Sequence, residues 1–290
     1  MGSVKIAFSL VATAALVACG GGGGGSAETA ATPVSNPTVP NAPGVPAADT
    51  AAVCFNPLLL VTGTTFKTVT RATYPGHGTM EQVSTMRVDG LSIFNGSEFI
   101  KTSEGQTDTP DAALLALGQR GGSSSAARYF TVDSSTGSIR VRAFEISKGV
   151  TPAEQIDVTT TNNPSIETRL SLKAGQSFDQ SYTQTSRVTR SSGTTLAPIA
   201  NYKKNVLFVG VATVTVPAGT FQACQFVETG TVSYSGSPGE ASTGIATIWT
   251  GVGSGLPIKT VVKHDAAGTG TTSTFELLSA TINGAVVTPQ

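Results

Sequence analysis

The chain has 290 residues and no net charge, with 18 basic and 18 acidic side chains. Charged residues make up 12% of the chain, about half the ~25% of an average soluble domain, and the polar positions are filled mainly by Thr, Ser, Gly and Asn. A neutral chain with a pI near 6.7 lacks the basic surface that nucleic-acid binding through counter-ion release requires. We therefore expect no nucleic-acid partner.

The first 18 residues have the layout of an export signal. Lys5 is the only charge, and an apolar run follows from Ile6 to Val17, interrupted only by Ser9 and Thr13. A run of about a dozen residues fits the core of a signal peptide and is too short to cross a bilayer, which needs ~20. Residues 1–18 are therefore interpreted as a signal peptide.

The run ends in Leu16-Val17-Ala18-Cys19. These residues resemble the lipobox of bacterial lipoprotein precursors, in which the cysteine is acylated and becomes the mature N-terminus. Leu16 favours this interpretation because an ordinary cleavage site has a small residue at that position. The resemblance implies acyl chains such as palmitate on Cys19, which make the membrane a partner. It also implies the bacterial outer membrane, because Gly20 replaces the aspartate that retains such proteins in the inner membrane. The alternative is a soluble secreted protein.

Residues 19–53 are predicted to be the lipidated cysteine followed by a disordered linker. Six glycines occupy Gly20 to Gly25, and prolines recur between positions 33 and 46. Such a composition does not bury enough apolar surface to fold by itself. The linker is interpreted as a stalk that holds a domain away from the membrane, or as filler without a role.

Residues 54–287 show one strand pattern after another, separated by short turn signals. Short connections favour antiparallel pairing, and a long meander tends to curl so that few edges stay exposed. We therefore predict a mainly β fold: a single large antiparallel, strongly curved sheet or open barrel behind a disordered N-terminal linker. The only helix is predicted over Asp111–Leu117, between Pro110 and Gly118. The predicted strands are Gly63–Tyr74, Met80–Val88, Phe99–Thr102, Arg128–Asp133, Ser138–Phe144, Leu170–Leu172, Ser181–Thr189, Val206–Val216, Phe221–Tyr234, Ile245–Thr250, Ile258–His264 and Thr274–Ile282.

Three turn signals fix connections in this series. Pro75-Gly76-His77-Gly78 follows the first strand, and Asp89-Gly90 predicts a hairpin after the second. Val216-Pro217-Ala218-Gly219 has the proline and glycine of a type I turn, with Gly219 free to take the left-handed bulge position of a three-residue hairpin.

A second resemblance lies in the C-terminal part, in Val216-Pro217-Ala218-Gly219-Thr220-Phe221, Trp249, Gly251-Val252-Gly253 and Ile258-Lys259. This pattern is similar to that of uncharacterised periplasmic β-rich proteins with a V-P-A-G-T-F turn. The chain departs from it at Thr250, where an aromatic residue is usual, and by the insertion of residues 254–257. The resemblance implies a curved sheet related in shape to lipid and lipoprotein carriers, and it implies no catalytic residues.

Candidate chemistry is sparse. His77 and His264 are the only histidines, and neither has partners at metal-ligand spacing, so we expect no metal site and no cofactor. No G-x-S-x-G motif is present, and we expect no catalytic residues and no enzyme, with a hydrolase as the least favoured alternative. Trp249 is interpreted as a core anchor, or else as a ligand platform. Finally, Arg128, Arg140 and Arg142 form either a basic stripe facing lipid headgroups or an ordinary solvated face.

The chain has three cysteines. Acylation of Cys19 leaves Cys54 and Cys224, and an exported protein meets an oxidising compartment in which such pairs form and persist. We predict a Cys54–Cys224 disulfide, the alternative being two buried thiols that act as small hydrophobic groups.

These patterns favour a non-enzymatic outer-membrane lipoprotein with a structural or interaction role and an envelope protein or lipid as partner. The alternative is an apolar-ligand carrier that holds a lipid on the concave face of the sheet. A dry concavity lined by Leu, Val and Phe would favour the carrier, and a filled core would favour the structural role.

Overall fold

The computed structural model describes residues 50–94, 96–133, 138–149, 156–163, 166–190, 193, 195–196, 199–235, 242–265 and 271–289. Within these ranges, the side chains of 133, 138–149, 156–163, 186, 188–190, 195–196 and 264–265 fall outside the description. The predicted signal peptide, the lipobox with Cys19, and the linker up to residue 49 also lie outside the described residues.

The described residues form one sheet of 15 strands, which confirms the prediction of a mainly β fold built on a single antiparallel sheet. The strands are β1 Thr65–Tyr74, β2 Gly78–Phe94, β3 Ser97–Pro110, β4 Gly122–Asp133, β5 Ser138–Gly149, β6 Ile156–Asn163, β7 Ile166–Glu167, β8 Ser177–Arg190, β9 Thr195–Leu196, β10 Ile199–Val216, β11 Gly219–Tyr234, β12 Ser242–Gly251, β13 Pro257–Asp265, β14 Thr271–Ile282 and β15 Ala285–Val286. A short helix, α1 Ala112–Ala116, and the 3-10 turns Ala51–Cys54, Pro57–Leu60 and Arg169–Ser171 complete the described elements.

The strands pair almost entirely with their neighbours in sequence. The order is β1-β2-β3-β4-β5-β6-β8-β10-β11-β12-β13-β14, with the two-residue strands β7, β9 and β15 attached to β5, β8 and β14. β1 also pairs with β14, from Phe66 opposite Ile282 to Thr73 opposite Thr274. The sheet therefore curves until its first and last long strands are hydrogen-bonded, which satisfies backbone groups that a flat sheet would leave exposed at its edges.

The residues that precede β1 cross one end of this curved sheet, and we call residues 50–64 the plug. Thr50 forms a bridge with Lys173, and at the other end of the plug the amide of Gly63 donates to the carbonyl of Val88 (2.8 Å). The plug is apolar where it faces the sheet, because Ala51, Cys54 and Leu59 are buried in the two largest core clusters. It therefore fills the end of the sheet that we call the plug end.

Helix α1 lies at the opposite end, which we call the helix end. Asp111 caps its N-terminus by accepting a hydrogen bond from the amide of Leu114 (2.9 Å), and Gly118 follows with φ of 80°. Leu114 is fully buried, in a cluster with Ala72, Tyr74 and Met80. The predicted helix between Pro110 and Gly118 is confirmed, although Asp111, predicted as its first residue, is its N-cap.

Two local predictions are wrong. Leu170–Leu172 is predicted as a strand, but Arg169–Ser171 forms a 3-10 turn. Asp89-Gly90 is predicted as a hairpin turn, but β2 continues to Phe94, and the register shifts between Val88 and Gly90 as in a β-bulge. The same local signal occurs in either structure, because one type of β-bulge also places a glycine at positive φ, and Gly90 has φ of 96°.

The turn between β10 and β11 lies where it is predicted, but its loop has two residues instead of the predicted three. Val216 pairs with Gly219 across Pro217 and Ala218, and Gly219 has φ of 128°. The apolar face predicted for this strand is also present, because Val206, Phe208, Val214 and Val216 are buried while their neighbours in sequence are more exposed.

Candidate functional site

A disulfide fixes the plug to the middle of the sheet. Cys54 and Cys224 are bonded, with their Cα atoms 6.0 Å apart, and both are fully buried. The amide of Cys224 also donates to Sγ of Cys54 (3.1 Å). Phe208 and Phe226 pack in the same cluster. The predicted pairing is confirmed, and the alternative of two free thiols is not what the structure contains.

Four charged side chains meet beside this cluster, and we call Glu167, Arg169, Lys204 and Glu228 the ion cluster. Nη2 of Arg169 lies 2.7 Å from Oε2 of Glu167 and 2.7 Å from Oε1 of Glu228. Nζ of Lys204 lies 3.6 Å from Glu167 and 3.4 Å from Glu228. Only 4% of Glu167, 4% of Arg169 and 9% of Glu228 is exposed, so these charges are neutralised mainly by one another.

Strand register explains how Lys204 and Glu228 come together. Val206 on β10 pairs with Glu228 on β11, and Lys204 is two positions from Val206, so all three side chains lie on the same face of the sheet. Glu167 and Arg169 reach this face from β7 and the 3-10 turn that follows it. The Arg169 guanidinium also lies 5.4 Å from the centre of the Phe226 ring.

The charge states of the central pair are fixed. Burial by itself would raise the pKa of Glu167, but the charges of Arg169 and Lys204 and the hydrogen bonds from Arg169 outweigh it and lower the pKa to about 2. Burial by itself would lower the pKa of Arg169, whereas Glu167 and Glu228 raise it above its usual value. The Glu167–Arg169 pair therefore stays ionised near neutral pH and acts as a cross-link between elements rather than as a proton donor or acceptor.

Two tyrosines lie on the same face of the sheet as the ion cluster, farther from the plug. Tyr182 and Tyr202 are register partners on β8 and β10, and their rings stack with centroids 4.8 Å apart. Burial, followed by the charge of Tyr234, raises the pKa of Tyr202 to about 12. Burial is also the largest cause of the raised pKa of Tyr182. Both phenols are therefore neutral at physiological pH.

Sequence reasoning identified none of the ion cluster. Glu167 and Arg169 belong to no motif, and their other partners, Lys204 and Glu228, are distant in sequence. One signal was available, because Glu228 is in phase with the buried Phe226 and Val232 on β11. A carboxylate at a buried phase of a strand indicates a buried partner.

Both interpretations of the three arginines, the ordinary solvated face and the basic stripe, are wrong for Arg128. Only 4% of this residue is exposed, and its Nη2 lies 3.4 Å from Oε1 of Glu104 on the neighbouring strand. Arg128 therefore takes part in a buried ion pair and does not face lipid headgroups. The side chains of Arg140 and Arg142 lie outside the described residues.

The remaining candidate residues from the sequence are Trp249 and the two histidines, and the described part of the chain does not bring them together in one site. Trp249 is half-buried and packs against the largest core cluster, as a core anchor would. His77 is exposed in the turn after β1, and the side chain of His264 lies outside the described residues. Within the described part of the chain, no three His, Cys, Asp or Glu side chains are placed to share a metal ion, and no helix there is long and apolar enough to cross a membrane.

A cavity of about 450 Å³ opens across β14, β1, β2 and β3. Phe66 and Met86 contribute its large apolar side chains, and the other lining residues are Thr65, Lys67, Thr85, Arg87, Ser103, Glu104, Gly105 and Thr281.

Comparison with known proteins gives distant similarities only. No family model and no curated protein matches the chain. Among solved structures, a Bacteroides fragilis protein that is taken to be exported and has a YmcC-like fold aligns with a TM-score of 0.41 and 13% identity, over 77% of this chain and 97% of its own. A Parabacteroides distasonis protein that is taken to be a lipoprotein aligns with a TM-score of 0.38 and 12% identity, over 76% and 96% of the two chains. Neither similarity assigns the chain to a family or gives it a function.

Proposed function

We propose that the protein is a bacterial outer-membrane lipoprotein, anchored through acyl chains on Cys19, whose β domain has a non-enzymatic structural or interaction role in the cell envelope. The observation that carries this proposal is the disulfide between Cys54 and Cys224. A tether that begins at Cys19 reaches the described domain at Thr50 and is bonded covalently to β11 four residues later.

Such a bond has a mechanical consequence for an anchored domain. Pulling on the tether loads the plug, whose first backbone contacts, at Thr50 and Ala51, are with the segment around Lys173. The disulfide passes the load to β11, which is paired along its length with β10 and β12. The plug therefore stays in the core when the anchor is pulled, as a domain held on a stalk requires.

The fixed charges of the Glu167–Arg169 pair support the non-enzymatic part of the proposal. Catalytic acids and bases need pKa values near the working pH, whereas the pKa of Glu167 is held at about 2. The ion cluster joins β7, β10 and β11, so it contributes to a rigid scaffold.

Metabolic labelling with a palmitate analogue tests the anchor. Wild-type protein should incorporate the label and fractionate with outer membranes, whereas Cys19→Ala should remain an unlabelled precursor. The matched control is the double variant Cys54→Ala/Cys224→Ala, which removes two cysteines outside the lipobox and should be labelled like wild type. Label in Cys19→Ala, or unlabelled wild type in the soluble fraction, would contradict the proposal.

A further inference from the structure

Three large aliphatic side chains are exposed together at the plug end. Leu91 is 70% exposed and Ile93 is 67% exposed, and both lie near the C-terminal end of β2. Val61 of the plug is 52% exposed. We call these three residues the apolar rim. Single exposed aliphatic residues are ordinary in soluble proteins, but a group of them at one place indicates a contact surface.

Backbone contacts hold the members of the rim side by side. The amide of Gly63 donates to the carbonyl of Val88 (2.8 Å), and a Cβ on Gly90 would lie 2.7 Å from Oγ1 of Thr62. Val61 and Leu91 flank this close approach. Leu91 and Ile93 are two positions apart on one strand, so they share a face.

The rim lies at the end of the molecule where the tether enters. The plug crosses this end from Thr50 to the segment that contacts Val88, and the connections between β2 and β3 and between β14 and β15 lie at the same end. The linker that precedes Thr50 includes a proline-rich stretch, residues 33–46, that would span about 43 Å if fully extended. The tether permits the plug end to touch the membrane without forcing it to, and it keeps the local concentration of lipid high.

We infer that the apolar rim is a membrane-contact surface, which inserts Val61, Leu91 and Ile93 into the boundary between headgroups and acyl chains of the leaflet that holds the anchor. This inference rests on the proposed acylation of Cys19. The surrounding charges balance, because Asp89 lies 3.5 Å from Arg87 and 3.8 Å from Lys101, and Glu98 is exposed at the same hairpin. The contact therefore depends on apolar burial and is insensitive to salt.

The helix end supplies matched controls. Leu115 and Leu117 on and beside α1 are 54% and 56% exposed, close to the exposure of the rim residues, and they lie at the end away from the tether. Membrane contact through the rim should bury a probe at position 91 or 93 and leave a probe at position 115 or 117 in water.

The experiment uses the full acylated protein in vesicles of phosphatidylethanolamine and phosphatidylglycerol. Single variants Leu91→Cys, Ile93→Cys, Leu115→Cys and Leu117→Cys are labelled with an environment-sensitive fluorophore, and quenching by brominated lipid is compared at low and high salt. We expect blue-shifted emission and several-fold stronger quenching at positions 91 and 93 than at 115 and 117, at both salt concentrations. Equal quenching at the two ends, or none at the rim while the protein floats with the vesicles, would overturn the inference alone. Failure of the wild type to float would contradict the proposed function and the inference with it.

A second experiment changes the rim residues Leu91 and Ile93 while the probe sits at another rim position. In protein labelled at Val61→Cys, the substitutions Leu91→Ser and Ile93→Ser should reduce quenching, whereas Leu115→Ser and Leu117→Ser should not; all four positions are exposed, so these changes leave the core intact. A probe at Val61 that is shielded in native membrane fragments but not in lipid vesicles would indicate a protein partner and overturn the inference.

Discussion

Cys54 and Cys224 are joined covalently although 170 positions separate them in the chain. The bond links the residues that precede the sheet to one of its central strands. The bond lies in the core cluster that includes Val206, Phe208 and Phe226. The plug is therefore part of the folded core and not an appendage to it.

The disulfide should account for a large share of the stability of the domain. Closing a loop of this length contributes about 5 kcal/mol in the chain-entropy model, before any strain is subtracted. We expect the double variant Cys54→Ala/Cys224→Ala and reduced wild type to lose similar free energy of unfolding in urea. Alkylation of the denatured, unreduced mature protein should add no mass, and reduction should expose two thiols. Two reactive thiols before reduction would contradict the bond.

Glu228 should be a strong determinant of stability through its contact with Arg169. Removing one partner of a buried ion pair typically costs about 3–5 kcal/mol, because the other charge is left buried without compensation. We expect Glu228→Gln to lower the free energy of unfolding by this order. The matched control is Glu276→Gln: Nζ of Lys259 lies 2.7 Å from Glu276, but both side chains are about one-quarter exposed, and such a pair contributes ~1 kcal/mol or less. Similar losses in the two variants would show that burial of the ion cluster is unimportant.

Glu167 should make stability fall in acid. Its pKa is lowered from 4.5 to about 2 in the folded state, so the stability it contributes is fully present above about pH 4.5 and is lost as the pH falls towards 2. The size of the effect is on the order of 3 kcal/mol. We expect the difference in unfolding free energy between wild type and Glu167→Gln to shrink over this pH range. A difference that is constant between pH 6 and pH 2.5 would contradict the assignment.

Gly90 should be hard to replace because two constraints act there. Its φ of 96° disfavours other residues, and a Cβ would lie 2.7 Å from Oγ1 of Thr62. Gly96, in the turn that follows, has φ of 76° but no atom within 4 Å of its Cβ position. We expect Gly96→Ala to cost about 1–2 kcal/mol from backbone strain alone and Gly90→Ala to cost more. Equal losses would mean that the plug moves away from β2 without cost.

The local features of the fold could be predicted from the sequence. Alternation of apolar and polar residues locates strands such as β10, because successive side chains of a strand point to opposite faces. The helix that ends before Gly118 and the positive φ of Gly219 depend on backbone geometry within a few residues, and both agree with prediction. The disulfide could be predicted because assigning Cys19 to the predicted lipobox leaves one possible pair. Strand ends were predicted less well. The bulge at Gly90 was predicted as a turn, because a glycine with positive φ occurs in bulges as well as in turns.

The arrangement of the buried groups was decided by the tertiary structure. The ladder that brings Phe66 opposite Ile282 and the contact between Arg169 and Glu228 join segments far apart in sequence, and no local pattern encodes which distant strand will lie alongside. The same holds for the apolar rim, because Val61 and Leu91 become neighbours only when the plug crosses the end of the sheet. The periodicity of the chain thus determined its strands and their faces, whereas contacts between segments distant in sequence decided which charges would meet in the core and which apolar side chains would remain exposed at the end of the sheet.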